Sequence, residues 1–112
     1  MSNSTNPPVR DVKHVKIDAA SSGDNTLLAA VSDKRILVVS LFFICAGTVN
    51  VRFESGASGT ALTGQMNFVV NTGIVLPYNE YGWFVTAKEE LLNLELSDAI
   101  SVDGSFGYRA VV

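Results

Sequence analysis

The chain is poor in the residues that build catalytic and metal centres. Its 112 residues include one cysteine, Cys45, and one histidine, His14. A single cysteine excludes an internal disulfide, so the fold cannot depend on an oxidising compartment. Two nitrogen or sulfur ligands fall short of the roughly four that a structural zinc site takes. Charge is also scarce: Asp, Glu, Lys and Arg make up 17% of the chain, against roughly 25% in an average soluble domain. Two accounts of that deficit stand side by side. Sheets use few lysines and glutamates, and surface covered in an assembly needs few charges.

Long apolar runs are missing too. The longest, Ile36 to Ala46, contains Ser40 and has 11 residues, whereas a membrane-spanning helix needs about 20. The N-terminal Met-Ser-Asn-Ser-Thr-Asn-Pro-Pro has no apolar core of the kind a secretory leader carries. A soluble protein without a membrane partner is expected. The Asn3-Ser4-Thr5 triplet is then a chance match to a glycosylation site. The net charge is −3, divided between five basic and four acidic residues in 1–35 and three basic and seven acidic in 36–112. No stretch is basic enough to follow a phosphate backbone, so direct nucleic-acid binding is not expected.

What the chain does contain is alternation. Val15 and Ile17 alternate with Lys16 and Asp18. Residues 21–25, Ser-Ser-Gly-Asp-Asn, form a turn signal, and Thr26 to Val31 reads as the next strand. Ser32 to Arg35 turns again. Ile36 to Ala46 is apolar at both parities, so this strand is covered on both faces or bends between sheets. Val49, Val51 and Phe53 share one face of a strand whose other face, Asn50, Arg52 and Glu54, is wet. Residues 55–59 are a flexible tip. Met66, Phe68 and Val70 alternate; Asn71 to Gly73 turns; Ile74 to Leu76 stops at Pro77. Tyr81, Trp83 and Val85 form another alternating set, as do Leu92, Leu94 and Leu96. Thr86 to Leu92 has some helical propensity, but period two at Leu92–Leu96 would scatter those side chains around a helix. Lys88 to Glu90 is therefore an exposed loop. The last strand carries Ile100, Val102, Phe106 and Tyr108, with Asp103-Gly104 as its bulge or turn.

Eight or nine short strands with turns every 8–12 residues predict an all-β sandwich or barrel. The predicted domain spans residues 11–112, preceded by an extended arm, residues 1–10. That arm is either a disordered tail or a segment that orders on a neighbouring subunit. The predicted core includes Val49, Val51, Phe53, Phe68, Trp83, Leu92, Leu94 and Phe106.

No pattern of residues supports catalysis. His14 reads as a partly exposed strand residue and Cys45 as a small buried hydrophobe. Gly56-Ala57-Ser58-Gly59 is not the Gly-x-Ser-x-Gly turn of a nucleophile elbow. Glu89-Glu90 reads as a solvated pair, and Asp24 and Asn25 lack the spaced carboxylates of a calcium loop. The chain is expected not to be an enzyme and to need no cofactor or metal. Tyr78, Tyr81, Trp83 and Phe84 cluster within seven residues. Such aromatics fill cores, form protein interfaces or stack on sugars. The residues expected to meet a partner are Pro7, Pro8, Arg10, Lys13 and Lys16, at and beside the arm, together with Tyr78 and Tyr81.

Several segments carry a resemblance. These are Val15 to Asp18, Ser22 to Val31, Ile36 to Ser40, Gly47 to Val51, Trp83 to Ala87, Leu91 to Leu94, and Ser101 to Gly104. Together they resemble small structural proteins of tailed bacteriophages, nearest to the capsid-decorating or staple proteins of epsilon15-like short-tailed phages. The resemblance covers most of the chain after the arm and lies in strand patterns. It implies a jelly-roll-like antiparallel sandwich of about eight strands on the outer capsid surface of a virion. Such a protein, made in the cytoplasm of the host bacterium, would act as a homo-oligomer and clamp neighbouring copies of the major capsid protein against internal DNA pressure. A carbohydrate-binding or host-recognition module of a phage tail or fibre is the alternative reading.

Overall fold

The computed structural model describes residues 11–112; the arm and its candidate residues Pro7, Pro8 and Arg10 lie outside them. The described residues form ten strands: β1 (Lys13–Ala19), β2 (Gly23–Leu28), β3 (Arg35–Cys45), β4 (Val49–Ser55), β5 (Thr60–Ala61), β6 (Met66–Phe68), β7 (Thr72–Leu76), β8 (Phe84–Val85), β9 (Leu92–Leu96) and β10 (Val102–Val111). Two of these have only two residues, which accounts for the excess over the eight or nine expected. Two sheets result. The first has the order β1-β10-β3-β7, with β8 also paired to β3; the second has the order β2-β9-β4-β5, with β6 also paired to β4. Every pairing is antiparallel. The chain is an all-β sandwich, and no helix among the described residues is long and apolar enough to cross a membrane.

The core lies between the sheets and follows the alternation. Val49, Val51 and Phe53 of β4, Phe68 of β6, Leu92 and Leu94 of β9, and Phe106 of β10 are buried as predicted, and Leu96 of β9 is buried with them. Phe43 is their centre. Its ring lies 6.1 Å from Phe53 and 5.2 Å from Phe68, the latter edge-on. Cys45 is buried in the same cluster, and burial pushes its thiol up, so it behaves as a small apolar side chain.

Several expectations need correction. Trp83 is not core: it is 42% exposed. The predicted strand at Tyr81–Val85 shrinks to Phe84–Val85, and Phe84, not Trp83, faces Phe53, with ring centroids 5.1 Å apart. Asp24 and Asn25 are not turn residues; they pair with Glu95 and Leu94 inside β2. Thr72 and Gly73 likewise belong to β7, and Asn71 alone takes the left-handed conformation, at φ 61°. Val70 is exposed. The bulge is not at Asp103-Gly104 of β10 but at Val39 of β3, where the register against β10 shifts between Gly107 and Tyr108. That extra residue in β3 buries both Val38 and Val39 and re-phases the strand, because side chains alternate with period two.

The re-phasing decides the fate of β3. Leu41, Phe43 and Cys45 face the core, while Phe42 and Ile44 face outward and are 52% and 56% exposed. The strand therefore neither bends between sheets nor is covered on both faces at its C-terminal half. Glu54 and Asn93 reverse the opposite expectation. Both sit on the supposedly wet face of the second sheet, yet both are buried.

Truncating a packed ring should separate core from surface. Phe53→Ala is expected to cost about 3–5 kcal/mol, and Trp83→Ala about 1 kcal/mol. Thermal melts of the two variants check this. Equal losses would mean that Trp83 is packed as tightly as Phe53.

Candidate interaction face

The outer faces of the two sheets differ in chemistry. On the second sheet, direct neighbours form the rows Asp24–Glu95–Arg52 and Thr26–Asn93–Glu54. Asn93 organises them. Its amide donates to Asp24 at 2.8 Å and to Glu54 at 2.9 Å, and its carbonyl oxygen accepts from the Asn25 backbone N–H. Arg52 donates twice to one Glu54 oxygen. A buried carboxylate needs such donors, because loss of hydration is otherwise costly. Ser58 ties the tip of the β4–β5 turn to Asp24 through its N–H and hydroxyl.

The oxygens of Asp24, Glu54 and Glu95 lie within 4.8 Å of one another. Hydrogen bonds from Ser58 and then Asn93 hold Asp24 below its ordinary value. Glu95 is raised, first by desolvation, then by its hydrogen bond to Asp24 and by repulsion from Glu54 and Asp24. The three groups could together face a hard cation. Arg52, Asn93 and Ser58 already supply donors to two of them, so the arrangement serves as a cross-strand polar network. Sequence reading missed it because its members are spread from residue 24 to residue 95 and meet only through pairing.

The first sheet's outer face is apolar on the β3 side. One row runs Lys16–Ser105–Phe42–Val75, and the next runs Asp18–Asp103–Ile44–Gly73. Val75 is 75% exposed. Further along the same face Leu37 pairs with Val85, and Trp83 follows at the same parity. Phe42, Ile44, Val75 and Trp83 thus form an exposed apolar stripe beside a charged margin supplied by β1. Contiguous exposed apolar surface with a polar rim is the anatomy of an interaction site.

The candidate residues divide around this stripe. Lys16 lies on the same face, two strands from Phe42, 3.9 Å from Asp18. Lys13 pairs with Tyr108 and has the core-side parity, although it is exposed beyond the core's end. Period two therefore sends the two lysines to opposite faces and leaves no basic cluster within 13–16. Tyr78 and Tyr81 are exposed in the β7–β8 loop, Tyr81 at 82%. The loop is held to β3 by Asn79 and Trp83 backbone N–H groups donating to the Val39 and Val38 carbonyls at 2.8 Å. Gly82 is obligatory there: φ is 80° and a Cβ would overlap Leu37. The Trp83 indole donates to the Pro77 carbonyl at 2.9 Å. Glu89 and Glu90 are exposed as expected, but each carboxylate is engaged, by the Asp33 N–H and the Ser55 hydroxyl. His14 is exposed on β1, far in sequence register from Cys45. Phe42, Ile44 and Val75 went unnoticed in the sequence because an apolar run at both parities does not reveal which parity meets the core. Comparison with protein-family models, curated proteins and solved structures yields no match.

The raised Glu95 makes a signed prediction. A carboxyl whose folded value exceeds its unfolded one loses stability for the fold as pH climbs from about the ordinary 4.5 through the folded value. Glu95→Gln should therefore melt higher than the parent at pH 7, and the gap should close near pH 4. Melting curves across that range test it; a variant that melts lower at pH 7 would reverse the assignment.

Proposed function

We propose that the chain is a structural virion protein that decorates the outside of an icosahedral phage capsid. It would clamp neighbouring copies of the major capsid protein against internal DNA pressure. The observation that carries this reading is the exposed apolar stripe of Phe42, Ile44, Val75 and Trp83 on the outer face of the first sheet. A rigid sheet face resists bending, and burying a half-exposed aromatic or aliphatic side chain contributes on the order of 1 kcal/mol each. Several copies acting around one shell multiply such modest contacts.

Two further features support the reading. The strand segments named above resemble those of capsid-decorating proteins. The orders β1-β10-β3-β7 and β2-β9-β4-β5 also have the chain switching sheets at β1–β2, β2–β3, β3–β4 and β9–β10, with the first and last described strands side by side. That is the wrapping expected of a jelly roll. A second reading rests on the β7–β8 loop. Exposed Tyr78 and Tyr81 beside Trp83 offer flat rings on which a sugar could stack, as in a host-recognition module.

Co-sedimentation with undecorated capsids distinguishes the readings. The double variant Phe42→Asp, Ile44→Asp should keep the fold, since both residues are largely exposed, and should bind shells about 10–100-fold more weakly. Removal of residues 1–9 should leave the melting temperature unchanged and weaken attachment if the arm orders on the shell. Undiminished pelleting of the double variant, or binding to a glycan array in place of shells, would overturn the decoration role.

A further inference from the structure

Among the described residues the first sheet has β1 at one edge and β7, with the short β8 beyond it along β3, at the other, and the two edges are built differently. An edge strand exposes unpaired N–H and C=O groups, and proteins protect such edges with charges, prolines or bulges. The β1 edge carries Lys13, His14, Lys16 and Asp18, all exposed. The β7 edge reads Thr72-Gly73-Ile74-Val75-Leu76 and has no charge, no proline and no register shift against β3. Among the described residues, no backbone hydrogen bond beyond the ladder with β3 involves residues 73–76. Pro77 ends the strand and limits any added pairing to these five residues.

We propose that β7 pairs antiparallel with β7 of a second copy, joining the two first sheets into one continuous sheet across a two-fold axis. The register centred on Ile74 is self-complementary. It sets Gly73 opposite Val75 of the second copy and Thr72 opposite Leu76. On the outer face, Val75 then meets a glycine, so its exposed side chain finds room instead of a steric rival. Gly73 cannot readily be anything else, because a Cβ there would overlap the Phe43 carbonyl. The row Phe42–Val75 of one copy continues into Gly73–Ile44 of the other, which doubles the apolar stripe. No charged residue lies within β7, so the two-fold axis brings no like charges together.

The second copy is the occupant because the geometry closes. Addition of β7 to the β1 edge of another copy would be head-to-tail and open-ended, and the exposed charges along β1 disfavour it. Pairing of β7 with itself uses up the one unguarded edge of the sheet and stops at two. The pairing does not depend on shell binding, so the dimer is sought in the absence of capsids.

Sedimentation velocity of the full chain from about 10 µM to 1 mM is the test, since a five-residue strand with a small apolar flank belongs to the weak, transient class of interface. The parent should become dimeric within that range, with slowed amide exchange at residues 73–76 as concentration rises. Val75→Lys puts the usual edge-protecting residue at a position exposed enough to leave the monomer's melting unchanged. It should raise the dimer's dissociation constant at least tenfold. A parent that remains monomeric at 1 mM would overturn the proposal. So would a dimer that Val75→Lys does not weaken, or one in which exchange at 73–76 ignores concentration. Because Val75 also belongs to the apolar stripe, shell binding is read on the parent: a parent that dimerises as described but does not pellet with undecorated shells would count against the decoration role alone.

Discussion

The closing strand is the constraint on which the rest of the structure depends. β10 pairs with β1 on one side and β3 on the other along most of its length, so the first and last described strands lie side by side in one sheet. Ser105 donates to the Val15 carbonyl across 90 residues of sequence. Bringing so distant a pair together costs loop-closure entropy before the contacts return it, and the inner face of β10 returns it through Val102, Phe106 and Tyr108, all buried. The second sheet is closed in the same way over a shorter reach, with Asn93 of β9 donating to Asp24 of β2 across 69 residues. β9 lies between β2 and β4, and its seam of Leu92, Leu94 and Leu96 is buried in the shared core.

The two outer faces then follow from what each strand had left over. The second sheet keeps its charges and satisfies them within itself. Asn93 bridges the Asp24 and Glu54 carboxylates, Arg52 pairs with the other oxygen of Glu54, and Ser58 ties a loop to the edge. A face saturated with internal hydrogen bonds has little to offer a partner. The first sheet instead leaves Phe42, Ile44 and Val75 in water, and hydrophobic surface in water is the larger driving force for association. The division explains the low charge content without invoking a larger core. The missing charges are those that a wet face on the first sheet would have carried.

A single inserted residue links the two observations. Without the bulge at Val39, the parity of β3 would run unbroken from Ile36, and Phe42 and Ile44 would share the core side with Ile36 and Val38. With it, Phe43 reaches the Phe53 and Phe68 rings and its neighbours turn outward. The same bulge frees the Val38 and Val39 carbonyls to hold the β7–β8 loop, which is why Tyr78, Tyr81 and Trp83 are presented on the surface and not folded inward.

Alternation of apolar and polar residues by itself determined the all-β class, the two-layer burial and most of the core, because period two is a local property that needs no partner strand. It identified the core-facing residues of β4 and β9. It could not assign Trp83, whose alternating neighbours end in a loop held to β3 by backbone hydrogen bonds. Nor could it assign Glu54 and Asn93, whose burial depends on donors from strands elsewhere in the chain. Asp24 and Asn25 look like turn residues until β9 pairs with them. Only the tertiary structure decided which parity of β3 faces water, since an apolar run carries no mark of its own inner side. That side is set by the bulge opposite Gly107 and by which face of the sheet the second layer covers.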